Sequence, residues 1–269
     1  ELYPALDNTE VIIANEKDLA KAKAPDPLKS GRMPWVLEVL NICRELTGYT
    51  HYIHYCSPIN LAAQVMQFER LILAMAENPK FVHKLMDFLV EEVLAPYINT
   101  YLKTVPGASI ANGKDAVGSL PFITEDILQE FSLPYLAKLR KLCGGGPGIR
   151  SDNWWGDSFA KDIEAYWDIK LDVTPQYLKV QDPDCFAIGT ERIRAHADAR
   201  ECALSFGVGT LLLQIGTKEE ITQRIHHYME VGSRGPFGKK FFLYLCSFSA
   251  QTPPENVRYA IEAVNSFNA

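Results

Sequence analysis

Short runs of strand character alternate along this chain with longer segments whose apolar residues recur every three or four positions, and few folds accept that rhythm. The helical spacing falls near 15–23, 34–47, 60–78, 79–105, 124–143, 158–168, 190–200, 217–232 and 253–267. The strand-like runs between them are 49–56, 109–115, 148–154, 169–173 or 178–181, 201–207 and 241–246. Strand alternating with helix at this cadence predicts a parallel sheet with helical crossovers. Six such units fit an α/β fold of the (β/α)8 TIM type whose opening units lie upstream, and fit an open doubly wound sheet less well. Neither GxGxxG after a strand nor GxxxxGK[ST] occurs, so nucleotide-binding versions of the open sheet have no support. The run Cys143-Gly144-Gly145-Gly146-Pro147-Gly148 follows a helix and precedes a strand, which makes it a turn rather than a phosphate cradle.

A chain of 269 residues, 47% hydrophobic, can bury one sizeable core, so a single domain over 1–269 is expected. It opens on Glu1-Leu2-Tyr3-Pro4, in mid-phrase, and an upstream segment is expected. The formal charge of −6 argues against nucleic acid or an anionic membrane as a partner, since either favours a clustered basic face. No apolar run reaches the length needed to span a bilayer. Six scattered cysteines without a CxxC pair read as reduced thiols in a cytoplasmic protein.

Chemistry is expected where strands end, because in parallel α/β enzymes the loops after the strands build the pocket. The closing stretch is the clearest case. Phe241-Phe242-Leu243-Tyr244-Leu245-Cys246 reads as a strand that delivers a thiol to its carboxyl end. Thr252 is the expected cap of the following helix, with Pro253 at its first position and Glu255 three residues past the cap. Asp115, in Asn112-Gly113-Lys114-Asp115, falls at another strand end, where a carboxylate can orient substrate or take a proton. Its bland reading is a cap or a partner of Lys114. Asp152, Asn153, Trp154 and Trp155 follow a third strand and precede Ser158, a plausible cap. Two adjacent indoles beside polar groups suit a pocket for a flat or methoxylated aromatic molecule, or else one indole is core. Asp184, in Gln181-Asp182-Pro183-Asp184, is a candidate substrate contact, although Asp before Pro is also an ordinary turn signal. His51 and His54 lie three apart on a presumed strand and point to opposite faces, so they are poor joint ligands.

Several phrases, in order, resemble the uroporphyrinogen decarboxylase superfamily. Ser57-Pro58-Ile59-Asn60-Leu61-Ala62 is similar to its Gly-Pro-Phe-Thr-Leu-Ala after a barrel strand, and Glu77-Asn78-Pro79-Lys80 to its helix break. Ile123-Thr124-Glu125-Asp126 through Phe131-Ser132-Leu133-Pro134-Tyr135 resembles the helix with an acidic start and a Phe-x-x-Pro-Tyr phrase. Gly207-Val208-Gly209-Thr210-Leu211-Leu212-Leu213 with Gly216-Thr217-Lys218-Glu219-Glu220-Ile221 resembles the last αβα phrase, and the closing stretch completes the set.

The resemblance implies a (β/α)8 barrel and an enzyme. Its members include decarboxylases, which hold a porphyrinogen with an arginine and aspartate set near the amino end, and corrinoid-dependent methyltransferases. The latter often bind zinc through a His-x-Cys pair and a late cysteine. Cys246 matches that late cysteine, whereas Asn153-Trp154-Trp155-Gly156 stands where His-x-Cys-Gly is expected. Zinc normally takes three or four ligands from Cys, His and carboxylate, so Cys246 needs help, and Asp115, Asp152 and Asp184 are the oxygen donors on offer if they converge. The favoured expectation is a methyltransferase with Asp115 and Cys246 as catalytic groups and a small-molecule substrate. It exchanges a methyl group with cobalamin on a partner corrinoid protein. The other expectations are uroporphyrinogen decarboxylation and a non-catalytic binding barrel.

Overall fold

A computed structural model describes residues 10–146, 148–152 and 154–267. The chain forms two compact units, Glu1–Trp154 and Trp155–Ala269, each built on a three-stranded parallel sheet.

In the first unit β1 (Ile53–Cys56), β2 (Ala111–Lys114) and β3 (Ile149–Asp152) lie side by side in chain order. Among the described residues, α1 (Glu16–Leu19) and α2 (Met33–Thr47) precede β1. Four more connect β1 to β2: α3 (Pro58–Met66), α4 (Phe68–Glu77), α5 (Pro79–Phe88) and α6 (Ala95–Thr104). The short α7 (Glu125–Ile127) and α8 (Leu133–Leu142) connect β2 to β3. The helix expected over 60–78 is broken at Gln67, whose φ of 68° ends one hydrogen-bond ladder and begins another. The long helix expected over 79–105 is continuous but carries a π-helical stretch, Leu89–Leu94, between α5 and α6. A second π-helical stretch, Leu128–Ser132, joins α7 to α8.

The second unit contains α9 (Ile163–Val173), β4 (Tyr177–Gln181), α10 (Asp184–Ile188), α11 (Thr190–Ala199), β5 (Ala203–Val208), α12 (Thr210–Ile215), α13 (Lys218–Gly232), β6 (Phe241–Leu245) and α14 (Pro254–Phe267). Of the two places where the fourth strand was expected, 178–181 is strand and 169–173 is the end of α9. The sheet runs β4-β5-β6. Strand alternation sorts its faces. Leu178, Val180, Leu204, Phe206 and Val208 are buried in one cluster with apolar residues of α11, α13 and α14. Each such side chain contributes roughly 1.5–3 kcal/mol through removal from water. The opposite face mixes polar and aromatic groups: Lys179 pairs in register with Ser205 and Ser205 with Phe242, and Gln181, Gly207 and Tyr244 form one row across the three strands.

A buried ion pair fastens α9 to this sheet. Lys170 Nζ donates to both Asp157 oxygens at 2.9 and 2.8 Å and to the Lys179 carbonyl at 2.6 Å. Trp167 Nε1 donates to the same carboxylate at 2.8 Å. Burial pushes the Asp157 carboxyl up, and the Lys170 charge works in the other direction. Among the described residues no helix is long and apolar enough to cross a membrane.

Candidate functional site

The closing strand does deliver its thiol to the end of the sheet. Cys246 follows β6 directly, and its backbone N–H continues the ladder to the Val208 carbonyl at 2.9 Å. Its side chain is buried, and Sγ donates to Gln181 Oε1 at 3.7 Å. Tyr244, two residues earlier on the same face, donates its hydroxyl to the same oxygen at 2.8 Å. Lys179 Nζ sits 4.5 Å from the Tyr244 ring centroid. Gly207 makes this row possible, because a Cβ there would lie 2.5 Å from Tyr244 Cζ and 2.7 Å from Gln181 Cβ. Burial, with the Asp182 charge adding to it, pushes the Cys246 thiol up to about 11. At neutral pH it is a protonated donor, not a thiolate.

Gln181 borders a pocket of about 630 Å³ at the carboxyl ends of β4 and β5. Trp155, Phe186 and Leu212 supply apolar walls, and Asp182 and Arg224 supply charge. Arg224 Nη1 donates to Asp182 Oδ2 at 2.8 Å, and the guanidinium carbon lies 3.2 Å from the centroid of the Phe186 ring. The Gly209 N–H reaches Asp182 Oδ2 at 2.9 Å, and the Tyr228 hydroxyl donates to Oδ1. Gly209 is required by close approach, since a Cβ there would lie 2.8 Å from Asp182 Cβ. Burial and the neighbouring Cys185 and Asp182 hold the Tyr228 phenol far above its ordinary range, so it stays a donor.

Asp184, the carboxylate singled out in the sequence, is spent elsewhere. Its Oδ2 accepts from Gly156 N at 2.7 Å, and its Oδ1 accepts from Ser158 N at 3.1 Å and Ser158 Oγ at 2.7 Å. The residue is buried and does not line the pocket. Ser158, expected as a cap, is thus a donor to Asp184. Sequence reasoning picked the second acid of Asp182-Pro183-Asp184 where the pocket uses the first. The signal that favours Asp182 is its place one residue past the strand. Arg224 lies two turns into α13, and only the chain's return over the β5 end brings it to the pocket.

In the first unit, Asp115 follows β2 immediately and is fully buried. Gly118 N–H donates to Oδ1 at 3.2 Å. Burial pushes its carboxyl up, and interactions with the Ser57, Trp154 and Ser132 side chains work against that rise. Trp154 is buried core packed over Gly118, where a Cβ would lie 2.6 Å from Nε1 and 3.0 Å from Asp115 Oδ2. The indole pair therefore divides: Trp154 beside Asp115, Trp155 half-buried on the second unit's pocket. The Asp152 backbone closes β3 opposite Lys114. Asn153 lies outside the described residues.

The zinc expectation can be tested against the donors. Cys246 Sγ is set against the Gln181 amide and the Tyr244 phenol, and neither is a usual zinc ligand. Among the described residues no three His, Cys, Asp or Glu side chains are grouped to hold a metal ion. The donors described around Cys246 are not a zinc-binding set.

The family model described as Uroporphyrinogen decarboxylase (URO-D) matches residues 4–267. A comparison with curated proteins finds none that matches. Among solved structures, a methyltransferase from Methanosarcina mazei is similar with a TM-score of 0.68 and 19% identity, covering 95% of this chain and 71% of that one. At that identity the likeness concerns the fold. The family match spans both units and every site residue described above, and the chain belongs to the uroporphyrinogen decarboxylase family.

Proposed function

We propose that this protein is a methyltransferase-type member of its family, moving a methyl group between a small substrate and the cobalamin of a partner corrinoid protein. The observation that carries the reading is the largely apolar pocket at the β4 and β5 ends, backed by the Gln181, Tyr244 and Cys246 row. The fold shared with the Methanosarcina mazei methyltransferase supports it. The family resemblance extends the two parallel sheets to a (β/α)8 barrel within a single domain over 1–269. The six unpaired cysteines suit a reducing, cytoplasmic setting.

The docked partner would supply the methyl-carrying centre. Phe186, Leu211 and Ile215 rim the pocket and are each more than half exposed, an apolar edge suited to a protein partner. Trp155, Phe186 and Leu212 take the apolar body of the substrate and exclude water. Arg224, fixed by Asp182 and by stacking on Phe186, places a paired charge that polarises the pocket without adding net charge. Cys246 keeps its proton at Sγ and acts through Gln181 rather than as a nucleophile. Asp115 holds its own proton to higher pH than a free carboxyl and is proposed as a second acid of the protein. No step is routed through zinc.

The test incubates the protein with reduced cobalamin and a panel of methylated small molecules, and in parallel with uroporphyrinogen. Methylcobalamin absorbance with at least one donor, reduced tenfold or more by Arg224→Ala, is the expected result. Porphyrin products without methylcobalamin would establish the decarboxylase alternative, and absence of both products would count against both enzymatic readings and leave the binding one.

A further inference from the structure

The polar row behind the pocket also determines which atoms the pocket offers a ligand. Two donors, the Tyr244 hydroxyl and the Cys246 thiol, converge on one terminal atom of the Gln181 amide. In the structure that atom is Oε1, and a phenol and a protonated thiol can both donate to it. Nε2, with two N–H donors, then stands on the other branch of the amide. Among the described residues nothing accepts from Nε2, and it is not sealed from solvent. Gln181 borders the pocket, and the branch that carries Nε2 is the one not engaged in the row.

The charges there narrow the ligand further. Arg224 is paired with Asp182, and Glu220 Oε2 accepts from Thr217 N at 2.8 Å in the capping box of α13. The charged side chains that line the pocket are thus one cation and two carboxylates, which does not favour a free acid. Flat apolar walls with a neutral amide donor suit an uncharged ring that carries an oxygen acceptor.

We propose that Gln181 is the specificity-determining residue of this pocket, donating from Nε2 to the ether oxygen of an uncharged methyl aryl ether whose ring rests on Trp155, Phe186 and Leu212. Tyr244 and Cys246 are positioning residues that hold the amide in the donating orientation. The proposal deepens the methyl-transfer reading and rests on it for the choice of a methylated ligand. A site built to hydrogen-bond a ligand atom discriminates strongly against the analogue that lacks it.

The full chain is titrated with methoxybenzene, with ethylbenzene as the oxygen-free analogue of similar size, and with benzoate, followed by indole fluorescence and calorimetry. Methoxybenzene is expected to bind at least about tenfold more tightly than ethylbenzene, and more tightly than benzoate. Gln181→Leu should erase the difference while ethylbenzene still binds. Tyr244→Phe, which keeps the ring and removes one donor, should shrink the preference severalfold with ethylbenzene affinity unchanged. Equal affinities in the natural protein, a preference for benzoate, no binding of either neutral ring, or a preference that survives Gln181→Leu would each overturn it. A neutral-ether preference without methylcobalamin formation would defeat the methyl-transfer reading alone, and methyl transfer without the preference would defeat this one alone.

Discussion

A single thiol shows how far position and reactivity can separate. Cys246 occupies the strand end where a reactive sulfur is expected, yet burial and the nearby Asp182 raise its pKa to about 11. An acid whose folded pKa exceeds its unfolded value of 9.0 stabilises the fold below pH 9, and this contribution is lost as pH rises toward 11. Alkylation of Cys246 by iodoacetamide, followed by peptide mass spectrometry, should therefore be slow at pH 7.5 and accelerate steeply above pH 9. Rapid modification at neutral pH would mean that the sulfur is a thiolate. The same row depends on a missing side chain. Gly207→Ala places a methyl within 2.5 Å of the Tyr244 ring, so the phenol must leave Gln181. We expect a loss of about 1–3 kcal/mol in denaturant titration, from overpacking, together with loss of ligand discrimination. A variant equal to the natural protein in both would show that the row is not rigid. Residue by residue, the sequence revealed which strand ends to inspect but not where each side chain turns after the strand. Asp182 and Asp184 are two residues apart, and one lines the pocket while the other holds the Gly156 and Ser158 turn. Thr252 was expected to cap the closing helix with Pro253 at its first position, but the helix begins at Pro254 and the Thr252 hydroxyl accepts from Ser249 N at 3.1 Å inside the loop.

At the scale of elements, periodicity located the long helices and five of the six described strands, because apolar spacing reports which face meets the core; periodicity left the fourth strand between 169–173 and 178–181, and it placed over 158–168 the helix that runs Ile163–Val173. It missed α10 and α12, of five and six residues, which are too short to show a period. Both border the pocket, so the elements least visible in the sequence are among those that shape the site. The attachment of α9 was also hidden. Asp157 precedes the helix by six residues, and its pairing with Lys170 follows from the fold and not from helical spacing. Lys170→Met strands the Asp157 carboxylate in a dry interior and should cost about 3–5 kcal/mol of stability. The added change Asp157→Asn should recover part of it, measured as a double-mutant cycle in urea. Additive effects of the two changes would show that the pair is not coupled.

For the whole molecule, the family was legible from ordered phrases spread along the chain, and the match over residues 4–267 agrees. The metal chemistry was the less certain part of that resemblance. A cysteine in the expected late position suggested zinc, while the donors around it are an amide and a phenol. Metal analysis of the purified protein is expected to give well under one zinc per chain, unchanged in Cys246→Ala. Stoichiometric zinc that disappears in that variant would require a donor set other than the one described.

The Asp157 and Lys170 pair has a consequence for how this sequence can change over time. Neither residue can be replaced first without passing through a chain that carries a lone charge in its interior. Exchange for an apolar couple requires two coordinated steps, so drift at these two positions is hindered even though replacing a buried ion pair by apolar residues is often neutral in stability. The joint between α9 and its sheet is held by the difficulty of the route away from it as much as by the strength of the contact.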